Sequence, residues 1–145
     1  MDVNNHNILV TGGSGMVGHS LKIFLPTATY VSSKDCDLRK QEEVQKLFNA
    51  VKPSCVIHLA AKVGGVKANS EQLGDFYYEN SLINSHVLEE SRKFNVKKVI
   101  SLLSTCIYPD DVIYPLTEEQ IHNGPPHFSN YAYAHAKRML DALRS

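Results

Sequence analysis

Ile8-Leu9-Val10-Thr11-Gly12-Gly13-Ser14-Gly15-Met16-Val17-Gly18 is the stretch on which the fold turns. Three apolar residues make a short buried strand, the glycines make a tight turn, and Met16, Val17, Leu21, Phe24 and Leu25 then recur at helical spacing until Pro26. The reading is strand, turn, helix. Gly12, Gly15 and Gly18 are three residues apart, and without Cβ atoms they permit a sharp bend, a close pyrophosphate and close packing of helix on strand. The free N–H groups at the helix start, those of Met16 and Val17 among them, then face an anion. The alternative is an ordinary strand-to-helix turn, because glycines at this spacing also occur without a ligand.

The alternation continues downstream. Thr29 to Val31 predicts a second strand, Glu42 to Phe48 a helix with Val44, Leu47 and Phe48 on one face, and Cys55 to Leu59 a third strand. Leu73, Phe76, Tyr77, Asn80, Ile83, Val87 and Leu88 fall on a long helical stripe; Phe76 is assigned to the core and one of Tyr77 and Tyr78 to a pocket or interface. Val99 to Leu103 is a continuous apolar run, the signature of a parallel strand covered on both faces. From Pro109 to Asn130 the prolines and Gly124 predict mainly loop, and Ala132 to Leu143 a last helix. The fold class is therefore α/β, a Rossmann-like parallel sheet with helices on both faces, with a nucleotide expected at the C-terminal edge of its strands.

Composition removes several classes. The length of 145 residues fits one domain, and 15 Lys plus Arg balance 15 Asp plus Glu, so no basic track exists for nucleic acid. No apolar run is long enough for a membrane span or a signal peptide, and no histidines and cysteines cluster at metal-ligand spacing. Cys36, Cys55 and Cys106 are few, odd in number and unevenly spaced, which points to a reducing, cytoplasmic setting.

At the end of the second strand, Val31-Ser32-Ser33-Lys34 has no carboxylate to receive an adenosine ribose diol. Ser33 and Lys34 can instead donate to a 2′-phosphate, which favours NADP over NAD, although Asp35 weakens that preference. Asp37 and Leu38 border the adenine on this reading; the alternative for Asp37 is a cap on the next helix. Ala60, Ala61 and Gly64 follow the third strand with little bulk and let a dinucleotide lie against the backbone.

Tyr133 and Lys137 are four residues apart, on one face of the last helix. The lysine's charge is expected to lower the phenol below its usual ~10, easing proton transfer to a sugar oxygen, while Lys137 also holds cofactor ribose hydroxyls. Ser104 follows the fourth strand and can orient the same carbonyl. Cys106, two residues on, can abstract the acidic proton beside a sugar ketone; its alternative is a buried apolar thiol. His58 reads as a hydrogen-bonded core histidine, His135 points away from Tyr133, and His122 and His127 sit in the proline-rich loop.

The glycine turn, the segment His58-Leu59-Ala60-Ala61-Lys62-Val63-Gly64-Gly65-Val66, the segment Ser104-Thr105-Cys106-Ile107-Tyr108-Pro109-Asp110 and the segment Ile121-His122-Asn123-Gly124-Pro125-Pro126-His127 together resemble the GDP-L-fucose synthases, extended short-chain dehydrogenase/reductases, from about Ile8 to Asp141. The resemblance implies conversion of GDP-4-keto-6-deoxy-D-mannose to GDP-L-fucose by epimerisation at two sugar carbons followed by reduction with NADPH. It gives Ser104, Tyr133 and Lys137 the reductase roles and Cys106 that of epimerisation base. Asn80 becomes a supporting residue and Asn69 a residue that approaches the sugar. The family pattern runs on past residue 145 with a histidine acid and most of the GDP-sugar region. The expectation is thus an NADP-binding domain over 1–145, truncated before most of the substrate region: either the synthase or its fragment, or a catalytically incomplete NADP-binding or oligomerising piece. Missing strands would leave a pairing edge, and the helix from Leu73 to Leu88 is the candidate interface of a homo-oligomer.

Overall fold

A computed structural model describes residues 7–65 and 71–143. They form two compact units. One contains the described residues up to Ala61 together with Ser85–Leu102; the other contains the described residues of Lys62–Asn84 and those from Leu103 onward.

The first unit holds a four-stranded, all-parallel sheet of β1 (Ile8–Thr11), β2 (Thr29–Val31), β3 (Cys55–His58) and β4 (Lys98–Ser101), in the order β2-β1-β3-β4. Parallel neighbours need crossovers, here α1 (Met16–Phe24), α2 (Gln41–Val51) and the last turns of α3 (Leu73–Lys93). The path runs outward from β1 to β2 and then reverses toward β3 and β4. Right-handed crossovers therefore put α1 on one face and α2 and the last turns of α3 on the other. Packing follows from this. Ile8, Val10 and Ile57 meet Leu21 and Leu25 on the α1 face, while pleat alternation turns the fully buried Leu9 and Val56 to the opposite face. Phe48 of α2 lies against Phe94, just past α3, with ring centroids 5.7 Å apart. The reversal point is between β1 and β3, so the crevice for a ligand opens at their C-terminal ends.

One sequence expectation is corrected by β4. The apolar run after Lys98 is not a strand covered on both faces: β4 stops at Ser101, pairs with β3 alone, and leaves Ile100 and Leu102 exposed. A run of apolar residues reports a preference for burial and cannot supply the neighbour that would bury it. Along α1 and its cap, Leu21 and Leu25 pack inward, while Met16 and Phe24 are 85% and 77% exposed.

The second unit contains the first turns of α3, then α4 (Tyr131–Ala142) and single 3-10 turns at Thr105–Ile107, Glu118–Gln120 and Phe128–Asn130. The proline-rich segment is mainly irregular, as expected, yet Pro109 and Pro126 form an isolated antiparallel bridge across it. Ala132, Ala134 and Ala136 are buried on α4, and such small side chains let a neighbouring backbone come close. Asn84 of α3 uses that approach, donating to the carbonyl of Ala136 at 2.9 Å from a fully buried position. No helix among the described residues is long and apolar enough to cross a membrane.

Candidate active site

The glycine turn is held from both ends of the first unit's crevice. Gly12 has φ +73°, and a Cβ there would lie 2.8 Å from the amide nitrogen of Ala60. Only glycine fits both demands. Gly13 donates to Val31 at 2.8 Å, tying the turn to the end of β2. Gly18 packs α1 onto the turn so closely that a Cβ would meet the Gly12 carbonyl oxygen and two Gly13 backbone atoms at 2.8 Å. Gly15, by contrast, faces only the Gly12 oxygen, at 3.2 Å, and stays open. At the start of α1 His19 donates to Gly15 at 2.9 Å, and the N–H groups of Met16 and Val17, in the first turn, have no intrahelical carbonyl to donate to. This cradle fits a phosphate of a dinucleotide, and Ala60 and Ala61 flank it without bulk.

Thr11 sets the floor. Its hydroxyl lies 2.7 Å from Nδ1 of the fully buried His58 and accepts from the Ala60 amide at 3.4 Å. His58 is thus the hydrogen-bonded core histidine that the sequence predicts. At the end of β2, Ser33 and Lys34 are exposed. The carboxylate that threatened to repel a 2′-phosphate is engaged elsewhere: Asp35 accepts from the Ser32 amide at 2.8 Å and its hydroxyl at 2.6 Å, which holds the carboxyl below its ordinary range. Asp37 does not cap α2. Lys40 occupies the cap position without a side-chain bond, and Asp37 is gripped by Arg39 at 2.8 and 3.0 Å. Leu38 is buried, its carbonyl 3.0 Å from Nδ1 of His86.

In the second unit, Asn80 is fully buried and clips the chain after β3 to α3. Its carboxamide accepts from the Lys62 amide at 2.8 Å and donates to the carbonyls of Lys62 at 3.0 Å and Phe76 at 2.8 Å. Lys62 itself reaches Glu79 at 2.6 Å and lies over the Phe76 ring. Gly64 is exposed just beyond this clip. Asn69 lies outside the described residues.

Ser104, Cys106 and Tyr133 come together in the same unit. Ser104 caps the Thr105–Ile107 turn, accepting from the Cys106 amide at 3.3 Å, and also hydrogen-bonds the Tyr133 side chain. Lys137 lies one turn further along α4 and is 2% exposed. Their electrostatics reverse the sequence expectation. Burial pushes the Tyr133 phenol above its ordinary value and the nearby Cys106 raises it further, against a smaller lowering by Ser104. Lys137 is not among the causes; burial brings its own pKa down from 10.5 to about 8. Desolvation depends on what packs around a helix, which an i,i+4 spacing does not encode. A protonated phenol beside a hydroxyl and a cysteine sulfur can donate a proton to a developing alkoxide, and the cysteine, as thiolate, can take one from carbon.

Three further histidines have neighbours of their own. His122 pairs with Asp141 at 2.9 Å, His127 bonds the Ser129 hydroxyl at 2.8 Å, and His135 packs edge-on to Tyr131. Sequence reasoning passed over Asn84 and Arg138, both buried on the helices of this site. For Asn84 a signal existed: it follows Asn80 by one turn inside the stripe of Phe76, Ile83 and Val87, where a polar residue must find a partner. No comparable pattern marks Arg138. No group of His, Cys, Asp and Glu suited to a metal ion occurs among the described residues.

A parallel sheet of this order, with a glycine turn after β1 and a reversal beside it, defines a Rossmann-like α/β protein. The chain belongs to the NAD dependent epimerase/dehydratase family, whose model matches residues 8–144. It is 46% identical over 147 residues to a GDP-L-fucose synthase of Dictyostelium discoideum, covering 97% of this chain and 46% of the relative. A probable GDP-L-fucose synthase of Drosophila melanogaster is 45% identical over 141 residues, with 92% and 44% covered. Among solved structures, a GDP-L-fucose synthetase from Naegleria fowleri bound to NADP superposes with a TM-score of 0.86 at 46% identity, over 96% of this chain and 46% of that one. The chain thus spans about half the length of these relatives.

Proposed function

We infer that this chain is the NADP-binding part of an epimerase/reductase acting on a GDP-linked 4-keto sugar, with nucleotide binding as the function it carries by itself. The observation that carries this reading is the cradle at the end of β1, where Gly12 abuts Ala60 and the first N–H groups of α1 are open. The relatives' names and the NADP-bound structure support the choice of ligand. Ser33 and Lys34 are assigned to the 2′-phosphate, the turn to the pyrophosphate, Asp37 and Leu38 to the adenine side, and Ala60, Ala61 and Gly64 to the dinucleotide backbone. Arg39 holds the Asp37 carboxylate, which favours Leu38 as the adenine contact. Calorimetric titration should show saturable NADPH binding, tighter than NADH; no binding by the folded chain would reject the reading.

The full reaction is the second reading, and the Ser104, Cys106 and Tyr133 cluster favours it. Bound NADPH supplies the hydride. Tyr133 donates the proton to the sugar oxygen, Ser104 orients that oxygen, Lys137 holds ribose hydroxyls, and Cys106 removes the proton beside the ketone. Incubation with NADPH and GDP-4-keto-6-deoxy-D-mannose, with product separation, tests it. Formation of GDP-L-fucose supports independent activity, and its absence beside an active full-length relative rejects it. A homo-oligomer through α3 accords with the exposure of Leu73, Tyr77 and Tyr78. Sedimentation as a stable monomer would count against that assembly. The free state of Cys36, Cys55 and Cys106 is compatible with a reducing, cytoplasmic setting.

A further inference from the structure

Arg138 follows Lys137 on α4 and is 8% exposed. Its Nε donates to the carbonyl of Ile107 at 2.6 Å, and Nη2 is buried with no acceptor among the described residues. Removing a guanidinium from water costs several kcal/mol unless its partners compensate, and a buried donor without an acceptor adds to that cost. An aliphatic side chain would fill the same space more favourably, so the cation calls for a reason. Ile107 supplies one. It closes the three-residue turn that carries Cys106, a turn held internally by backbone bonds of 3.2 Å at Ile107 and Tyr108 and by the 3.3 Å cap from Ser104. Short 3-10 turns have poor hydrogen-bond geometry and define a side chain's position weakly on their own. The short, charge-assisted bond from α4 is the stronger tether.

We propose that Arg138 is a positioning residue: by binding the Ile107 carbonyl it ties the turn bearing Cys106 to the helix bearing Tyr133, and so fixes thiol against phenol. The inference deepens the reading of this cluster as a reaction centre. Arg138 itself exchanges no proton and touches no reacting atom. Its effect is a geometry, felt where the Cys106 charge and the Ser104 hydroxyl both act on Tyr133.

The test needs neither cofactor nor turnover. The full chain is labelled with iodoacetamide, and modification at Cys106 and Cys55 is quantified separately by mass spectrometry; Cys55, in β3 of the other unit, reports general loosening. Arg138→Met keeps the stem and removes the donor. It should raise the Cys106 rate about tenfold, which corresponds to about 1.4 kcal/mol of local opening, with Cys55 unchanged. Arg138→Lys retains a donor cation and should restore most of the protection. An unchanged Cys106 rate in Arg138→Met, an equal rise at both thiols, or no rescue by lysine overturns the proposal. Should Arg138→Met fail to fold, Arg138→Gln, whose shorter stem does not reach the Ile107 carbonyl, takes its place: a rise confined to Cys106 supports the tether, and no rise or a parallel rise at Cys55 overturns it. In an assembly that turns over, Arg138→Met should depress solvent-deuterium exchange into the sugar more than hydride transfer. That second readout fails if the proposed reaction is wrong, whereas the labelling result stands.

Discussion

Asn80 grips Lys62 by both its backbone groups, accepting from the amide at 2.8 Å and donating to the carbonyl at 3.0 Å. A carboxamide is the side chain that can do both at once. Asn80→Ala leaves two part-buried backbone groups without this partner and should cost about 1–3 kcal/mol. Urea denaturation checks it: the midpoint should fall with the slope unchanged, since the surface exposed on unfolding is nearly the same. A midpoint equal to that of the unsubstituted chain would show that water replaces the amide.

The glycine turn separates folding from binding. Gly18→Ala forces a Cβ against three backbone atoms at 2.8 Å, so α1 must shift, and a loss of about 1–3 kcal/mol in stability is expected. Gly15→Ala meets one oxygen at 3.2 Å and also restricts the unfolded chain, so its net cost should stay below about 1 kcal/mol. Yet the new methyl occupies the open side of the cradle, and NADPH affinity should fall at least tenfold. Thermal unfolding beside calorimetry reads both. If Gly15→Ala binds NADPH normally, the pyrophosphate does not lie there.

Lys34 is exposed and the neighbouring Asp35 is engaged by Ser32, so the lysine's charge is available to a 2′-phosphate. Lys34→Ala should weaken NADPH binding about fivefold more than NADH binding, the scale of an exposed ion pair. The difference should shrink at high salt as screening grows. Equal losses for the two cofactors would remove Lys34 from that role.

What was legible in the sequence is what short-range pattern encodes. Ile8 to Gly18 specified strand, turn and helix because the apolar run and the glycine spacing are local. His58 was placed correctly because a polar residue inside an apolar strand needs a partner. The failures share a cause. The run from Val99 to Leu103 reads as covered on both faces, but Ile100 is exposed, because burial requires a neighbour that no spacing supplies. The alternative of Asp37 as a helix cap fails because residue type alone does not reveal a competing arginine two positions on. The protonation of Tyr133 was read from Lys137, whereas packing around α4 and the thiol of Cys106 decide it. Arg138 was passed over because a charged residue on a helix is by default assigned to solvent.

Lys137 makes stability pH-dependent in an unusual sense. Its pKa in the folded chain is about 8, below the 10.5 of an ordinary lysine, so between those values the unfolded chain binds more protons than the folded one. Stability contributed by this group therefore rises with pH across that window and is constant below it. The raised Cys36, Cys55 and Tyr133 work oppositely, keeping protons in the folded chain above about pH 9 or 10, so the total curve conceals the lysine. The difference between the unsubstituted chain and Lys137→Met isolates it. That difference should move by on the order of 2 kcal/mol in favour of the unsubstituted chain between pH 7.5 and pH 10. A flat difference would mean that Lys137 keeps its proton in the fold.

Tyr133 and Cys106 should separate the two halves of the reaction in any preparation that turns over. Tyr133→Phe keeps the ring and removes the proton donor, and it should slow hydride transfer by about 10² to 10⁴, the range of general acid-base catalysis. Cys106→Ser keeps a polar group whose proton is far harder to remove, and it should suppress deuterium exchange from solvent into the sugar while leaving reduction of an already epimerised ketone largely intact. Their proximity complicates the single substitutions in a predictable direction. Cys106 raises the Tyr133 phenol, so Cys106→Ser should also let the phenol ionise at lower pH and bring the alkaline fall in reduction downward. Reduction rates for Cys106→Ser measured from pH 7 to pH 10 test that coupling. An unmoved alkaline limb would mean that the thiol and the phenol act independently, and normal exchange in the folded variant would remove Cys106 from the role of base.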